Sequence, residues 1–288
     1  MKSRATQTKE LDMVNEPLAR KILIYSIPLM FSNLLQVFFN MTDVAVVGKF
    51  AGARALGSVG STTIIITLTT GILLGMGGGV NAVTALHMGA EDYQRVHKTV
   101  HTSVILCFIA GLLLLVTGLA FSKPLLEVMN TKPELIDGAT AYLMIYLCGS
   151  PALALYNFGN GVLSAVGDTK RPLIYLSISG IINIVLNLFF VIVCRLGVIG
   201  VAIASIIAQY ISAALIIRFL MKTYGSYGLR MKDIAIDRVS SASDWSAGCD
   251  TVLALCHSQH MYPDIHQFLQ PCGSGGQFSC HQCGFAHL

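Results

Sequence analysis

Charge is scarce in this chain. Only 12% of its 288 residues are Asp, Glu, Lys or Arg, where a soluble domain carries about 25%. Lysine and arginine stop altogether after Arg238, and the only tryptophan is Trp245. Acidic residues are nearly absent from the apolar stretches, with Asp43 as the exception. Sustained polar/apolar alternation is also missing, which excludes a transmembrane β-barrel. No nucleophile–base pair or metal-ligand cluster stands before the last fifty or so residues, so an enzyme is not expected.

What the chain has instead is apolar length. It is 54% hydrophobic with a mean hydropathy of +0.67. Six apolar segments cover roughly 18–44, 57–86, 99–121, 138–162, 172–194 and 198–221. Each meets the ~20 helical residues that a hydrocarbon core requires. The expected fold is therefore all-α: a polytopic membrane protein with a six-helix bundle at 18–221. Residues 1–17 are too polar, and the next helix too long, for a cleaved signal peptide. The first helix then serves as an uncleaved start.

Lys and Arg placement sets the expected orientation. Fourteen fall in the amino-terminal segment and the loops on its side, among them Arg95, Lys98, Lys170 and Arg171. Five fall on the other side, including Lys49, Arg54 and Arg195. Both ends of the bundle are expected in the cytoplasm, with the chain multi-pass in the cytoplasmic (inner) membrane. The net charge of +4 follows from this topology and needs no nucleic-acid partner.

Several residues inside the apolar segments resist a purely packing role. Pro28 lies within the first helix, as a simple bend or as a functional hinge. The second helix is rich in glycine from Gly71 to Gly79, which suits close helix packing. Asp43 sits near the far end of helix 1, where it either caps the helix at the interface or faces a wet cavity and handles ions. Asn183 and Asn187 share one face of helix 5. Their amides can join helices or ligate Na⁺. Asn33 and Gln36 on helix 1, Tyr156, Asn157 and Asn160 on helix 4, and Ser205 and Gln209 on helix 6 add further polar groups. Polar groups on so many helices predict a hydrated internal cavity.

The ordered set of motifs resembles one family. Ile27-Pro28-Leu29-Met30 opens helix 1. Asp43 is followed by Val47-Gly48, Gly52 and Ala55-Leu56-Gly57. Gly167-Asp168-Thr169-Lys170-Arg171-Pro172 joins helices 4 and 5, and Gly197-Val198-Ile199-Gly200 opens helix 6. From about Glu16 to Asp237 the chain is similar to the amino-terminal lobe of the MATE (multidrug and toxic compound extrusion) transporters. The resemblance implies a full fold of twelve helices in two lobes around a cleft. It implies export of cationic and amphipathic drug-like molecules, driven by Na⁺ or H⁺ re-entry, with no cofactor and no catalytic residue. It implies a cation site at Asp43, Asn183, Asn187 and Ser205. Some members carry an aspartate at the position of Asn187, which leaves Na⁺ and H⁺ both open. From the residues themselves, Asn33, Gln36, Asn157 and Asn160 are expected to line the cavity, and Pro28 is the candidate hinge.

Residues 222–239 are expected to be a cytoplasmic interlobe loop. The tail 240–288 reads differently. It holds five of the eight Cys and five of the eight His, with a CxxC pair at Cys280 and Cys283. One reading is a Zn²⁺ module, but the spacing fits no known ligand pattern. The preferred reading is a frameshift beginning near Arg238–Ser243. Read one base over, codons compatible with Asp244–Gly248 and Val252–Gln270 can encode apolar text resembling the first helix of a second lobe. The tail is then unstructured and binds no metal. The exporter reading competes with a flippase for lipid-linked saccharides, and with an inert membrane fragment. A homodimer is required if six helices transport on their own.

Overall fold

The computed structural model describes residues 18–223, 225 and 227–230, with side chains from Ser26 onward except at 29 and 33. The expected segments 1–17 and 240–288, the frameshifted text and most of 222–239 lie outside these residues. The described residues form helices and connections only. Seven α-helices run in order: α1 Leu18–Val46, α2 Gly52–Gly89, α3 Tyr93–Val128, α4 Pro133–Leu147, α5 Ser150–Ala165, α6 Lys170–Leu188 and α7 Gly197–Lys222. Two π-helical turns follow α1 and α6, at Val47–Ala51 and Phe189–Val193.

Three boundaries differ from those read in the sequence. First, no loop separates the first two apolar segments. The chain stays helical from Ser26 to Gly89, 64 residues, and reverses at the π turn and Gly52. Gln36 and Thr70 line one cavity, yet a straight helix would hold them ~50 Å apart at 1.5 Å per residue. Gly52 makes the reversal possible with φ +87°, a region that costs other residues a steric penalty. Second, α3 runs to Val128 and takes Pro124 inside it, past the end of the apolar segment read at 99–121. Third, the expected helix at 138–162 is two helices, α4 and α5, bent by 45° at Cys148–Gly149. Pro151 lies in the first turn of α5, where its missing N–H is harmless. By length and apolarity four helical stretches can cross a membrane, or five with the bent pair taken as one. The first of them is the whole Ser26–Gly89 run.

α5 forms the centre and is buried along almost its whole length. Glycines let α2 and α3 approach its backbone. A Cβ on Gly77 of α2 would lie 2.7 Å from the Asn157 carbonyl oxygen, and one on Gly111 of α3 2.7 Å from Pro151 Cα. Phe158, Leu163, Leu73, Val100 and Ile216 fill the space between. α6 pairs with α7, and α1 lies along α6. Outward faces are apolar: Ile64, Leu113 and Val116 are exposed. A soluble monomer rarely displays such contiguous surface, whereas lipid solvates it.

The hexapeptide Gly167–Pro172 ends α5 and starts α6. Gly167 adopts φ +83°. Its N–H donates to the Ser164 carbonyl at 3.0 Å, and the Asp168 N–H to the Leu163 carbonyl at 2.9 Å. Paired bonds of this kind close a helix on a left-handed glycine. The Asp168 carboxylate accepts from the Arg171 N–H at 3.3 Å and pairs with its guanidinium at 2.6 Å. The guanidinium lies 4.2 Å from the centre of the Phe219 ring on α7, within cation–π range.

Candidate functional site

Four polar side chains meet inside the bundle at the junction of α1, α6 and α7. α1 supplies Asp43, three residues before it gives way to the π turn. α6 supplies Asn183 and Asn187, one turn apart, and α7 supplies Ser205. α1 comes close enough because α6 has glycine at position 180. A Cβ there would collide with the Phe39 ring.

The four groups form a closed network. Ser205 Oγ donates to Asp43 Oδ2 at 3.0 Å. Asn187 Nδ2 donates to Asp43 Oδ1 at 2.5 Å and to Asn183 Oδ1 at 3.1 Å. Asn183 Nδ2 lies 3.4 Å from Ser205 Oγ. Asp43 is 8% exposed and Asn187 fully buried. One atom is left over: Asn187 Oδ1 is buried and has no hydrogen-bond partner. Leaving such an acceptor unpaired costs about 1–3 kcal/mol.

Three of the four, Asp43, Asn183 and Ser205, line a cavity of about 130 Å³. All helices but α3 contribute to its wall. Gln36, Asn40 and Phe39 come from α1, Thr70 from α2, Tyr146 from α4, Tyr156 from α5 and Gln209 from α7. Among the described residues, Asp43 is the one acidic residue in the wall, and no Lys, Arg or His lines it. The Asp43 carboxylate is therefore met by neutral donors alone. In a low-dielectric interior, a charge so placed attracts any small cation strongly.

The residues expected from the sequence divide as follows. Asp43, Asn183, Asn187 and Ser205 are brought together, and Gln36 lines the cavity. Asn157 and Asn160 do not line it. Asn157 Nδ2 turns back onto its own helix, donating to the Leu153 carbonyl at 3.0 Å, and the residue is buried against α2. Asn160 is partly buried on α5, outside the wall. The side chain of Asn33 lies outside the described residues. Pro28 sits within α1, with Ser32 Oγ donating to its carbonyl at 3.0 Å. Thr70, Tyr146, Ser179 and Ser212 also line the cavity and were not singled out beforehand. Tyr146 precedes the α4–α5 break, and no local signal in the sequence marks that break as facing a cavity.

Comparison with known proteins places this geometry. The profile of one protein family, described as MatE, matches residues 28–189. The probable multidrug resistance protein YpnP of Bacillus subtilis is 29% identical over 204 residues, 71% of this chain and 46% of that protein. The probable multidrug resistance protein NorM of Thermotoga maritima is 27% identical, over 72% of this chain and 45% of its own length. A FAD transporter of Shewanella oneidensis is 24% identical, over 70% and 46%. The crystal structure of a MATE protein in the bent conformation superimposes with a TM-score of 0.78 at 26% identity. That match covers 85% of this chain and 55% of the other. An outward-facing MATE transporter gives 0.81 at 25% identity, covering 88% and 57%. The chain thus spans about half the length of the relatives it matches.

Proposed function

The chain belongs to the MatE family of membrane transporters, and from that premise we propose that it forms the cation-binding lobe of a multidrug exporter. Members of this family are transporters and not enzymes. In this reading Na⁺ or H⁺ enters at Asp43, Asn183, Asn187 and Ser205, and its return into the cell drives cargo out. Occupancy neutralises Asp43 and loosens the bonds joining α1 to α6 and α7. α1 can then bend at Pro28, which reshapes the cavity. The lobe lies in the cytoplasmic membrane with its amino terminus inside, as Lys and Arg placement predicts. No cofactor takes part.

The observation that carries this reading is the buried carboxylate without a basic partner, next to an amide oxygen with none. The cargo follows from the same wall. A cavity with one acid, no base and several aromatic rings suits cationic and amphipathic molecules. A dinucleotide such as the cargo named for the Shewanella relative, or the anionic head of a lipid-linked saccharide, would meet no basic group there. Those are the less favoured readings.

The test is efflux of a fluorescent cationic dye from vesicles carrying this chain together with a complementing second lobe. Either a Na⁺ or a pH gradient is expected to drive export. Asp43→Asn is expected to remove the gradient dependence while the protein stays folded. Normal coupled efflux by Asp43→Asn would sink the proposal.

A further inference from the structure

A buried histidine stands apart from the cavity, at the end of the bundle where α3 begins and α7 finishes. His101 lies about two turns into α3 and is 1% exposed. Its ring stacks on His97 with centroids 4.1 Å apart. Nδ1 is 2.8 Å from the His97 carbonyl oxygen. Nε2 is 2.9 Å from the Arg230 amide nitrogen and 3.1 Å from the Arg230 carbonyl oxygen. A carbonyl only accepts, so in the tautomer that bonds the His97 carbonyl the proton is on Nδ1. Nε2 then accepts the Arg230 N–H, the shorter of its two contacts, and makes no hydrogen bond to the Arg230 carbonyl.

The peptide it receives is the one leaving α7. That helix stops at Lys222, and the next eight residues could stretch ~25 Å from it. By Gly228–Arg230 the chain has folded back instead. Gly228 N–H donates to the Gly225 carbonyl, and Leu229 N–H to the Leu220 carbonyl, each at 3.1 Å. A Cβ on Gly228 would strike the Thr223 carbonyl oxygen, so the tight return requires glycine. Leu229 is 4% exposed and packs in the main core.

We propose that His101 is a docking residue for the segment connecting this lobe to whatever follows it. One imidazole captures the backbone of Arg230. Arg230 is thereby held at a fixed point on α3, and not left at the free end of α7. Leu229 supplies the burial and His101 the register. The dock is a property of the fold and does not depend on what the cavity takes up.

The test is amide hydrogen exchange by mass spectrometry on the full chain in detergent micelles. His101→Ala is expected to raise exchange at Leu229 and Arg230 about tenfold or more, the effect of losing a buried hydrogen bond. Amides in α5 should keep the wild-type rate, which shows that the fold is intact. His101→Phe fills the same space and can stack on His97 but accepts no proton. It is expected to exchange as the alanine variant does, and it replaces that variant if alanine does not fold. Wild-type protection at Leu229 and Arg230 in either folded variant overturns the proposal. In the phenylalanine case, packing alone would then hold the peptide.

Discussion

At the scale of residues, Asn187 decides more than its neutral side chain suggests. Its amide bonds Asp43 and Asn183 with one nitrogen and leaves its oxygen unpaired. Asn187→Ala removes the donor from both partners and deletes the spare oxygen. The expected result is a lower melting temperature in detergent, by the equivalent of about 1–3 kcal/mol, with no protection by added Na⁺. Where Na⁺ stabilises the wild type, a variant that melts lower yet gains as much from Na⁺ would show that Asn187 braces the helices without ligating. Asn187→Asp separates charge from shape. A second carboxylate beside Asp43 should be tolerated only when a cation is present, because two neighbouring like charges repel. Dependence of its melting temperature on Na⁺ concentration is the measurement.

At the scale of elements, helix contacts through glycine set where the site residues stand. α2 provides its own control. Gly77 abuts the Asn157 carbonyl at the crossing with α5, whereas a Cβ on Gly71 would meet nothing within 4 Å. Gly77→Ala is expected to destabilise the bundle by about 1–3 kcal/mol, the usual cost of overpacking. Gly71→Ala is expected to be neutral or stabilising, since alanine favours helix by up to ~1 kcal/mol. Thermal unfolding of the two variants in the same detergent compares them directly, and equal effects would contradict the packing described. The α4–α5 break also belongs at this scale. The Cys148 carbonyl freed there receives the Tyr210 hydroxyl from α7 at 3.2 Å, and Ser150 Oγ donates to the Gly111 carbonyl at 3.0 Å. Irregular backbone at membrane depth is tolerated where protein groups satisfy it in this way.

For the whole molecule, the governing fact is that one lobe matches about half of each relative. The face of α1 bearing Met30, Leu34, Val37 and Met41 is exposed and is available to a second lobe or a second copy. Alternating access needs two bodies to move against each other. The chain reconstituted alone is therefore expected to bind cations without exporting dye, and export is expected to return when a second lobe is supplied. Dye export by the chain alone, together with a dimeric mass in native mass spectrometry, would assign the second body to another copy.

Much of this was legible in order and spacing. Six apolar segments, the Lys and Arg bias and the order of Pro28, Asp43, Gly167–Pro172 and Asn183/Asn187 together indicate an all-α membrane lobe of one family. Hydrophobic length and charge placement are one-dimensional properties, and lipid enforces them segment by segment. The i, i+4 spacing of Asn183 and Asn187 likewise put both on one face before any helix was placed. The meeting of Asp43 with Asn187 and Ser205, across separations of 144 and 162 residues, was implied by resemblance and has no local signature. Asn157 shows the limit. Its type and depth suit a cavity, yet the close crossing of α2 and α5 at Gly77 buries it against backbone. The continuous helix through residues 45–56 and the break at Cys148–Gly149 escaped for a related reason: Gly52 and Pro151 permit a turn or a start without requiring one. Composition along the chain dictates which segments must be helical in lipid and which polar groups they carry. The tertiary structure decided which of those groups share a cavity, because that depends on how closely two backbones approach and on which side of each helix faces inward.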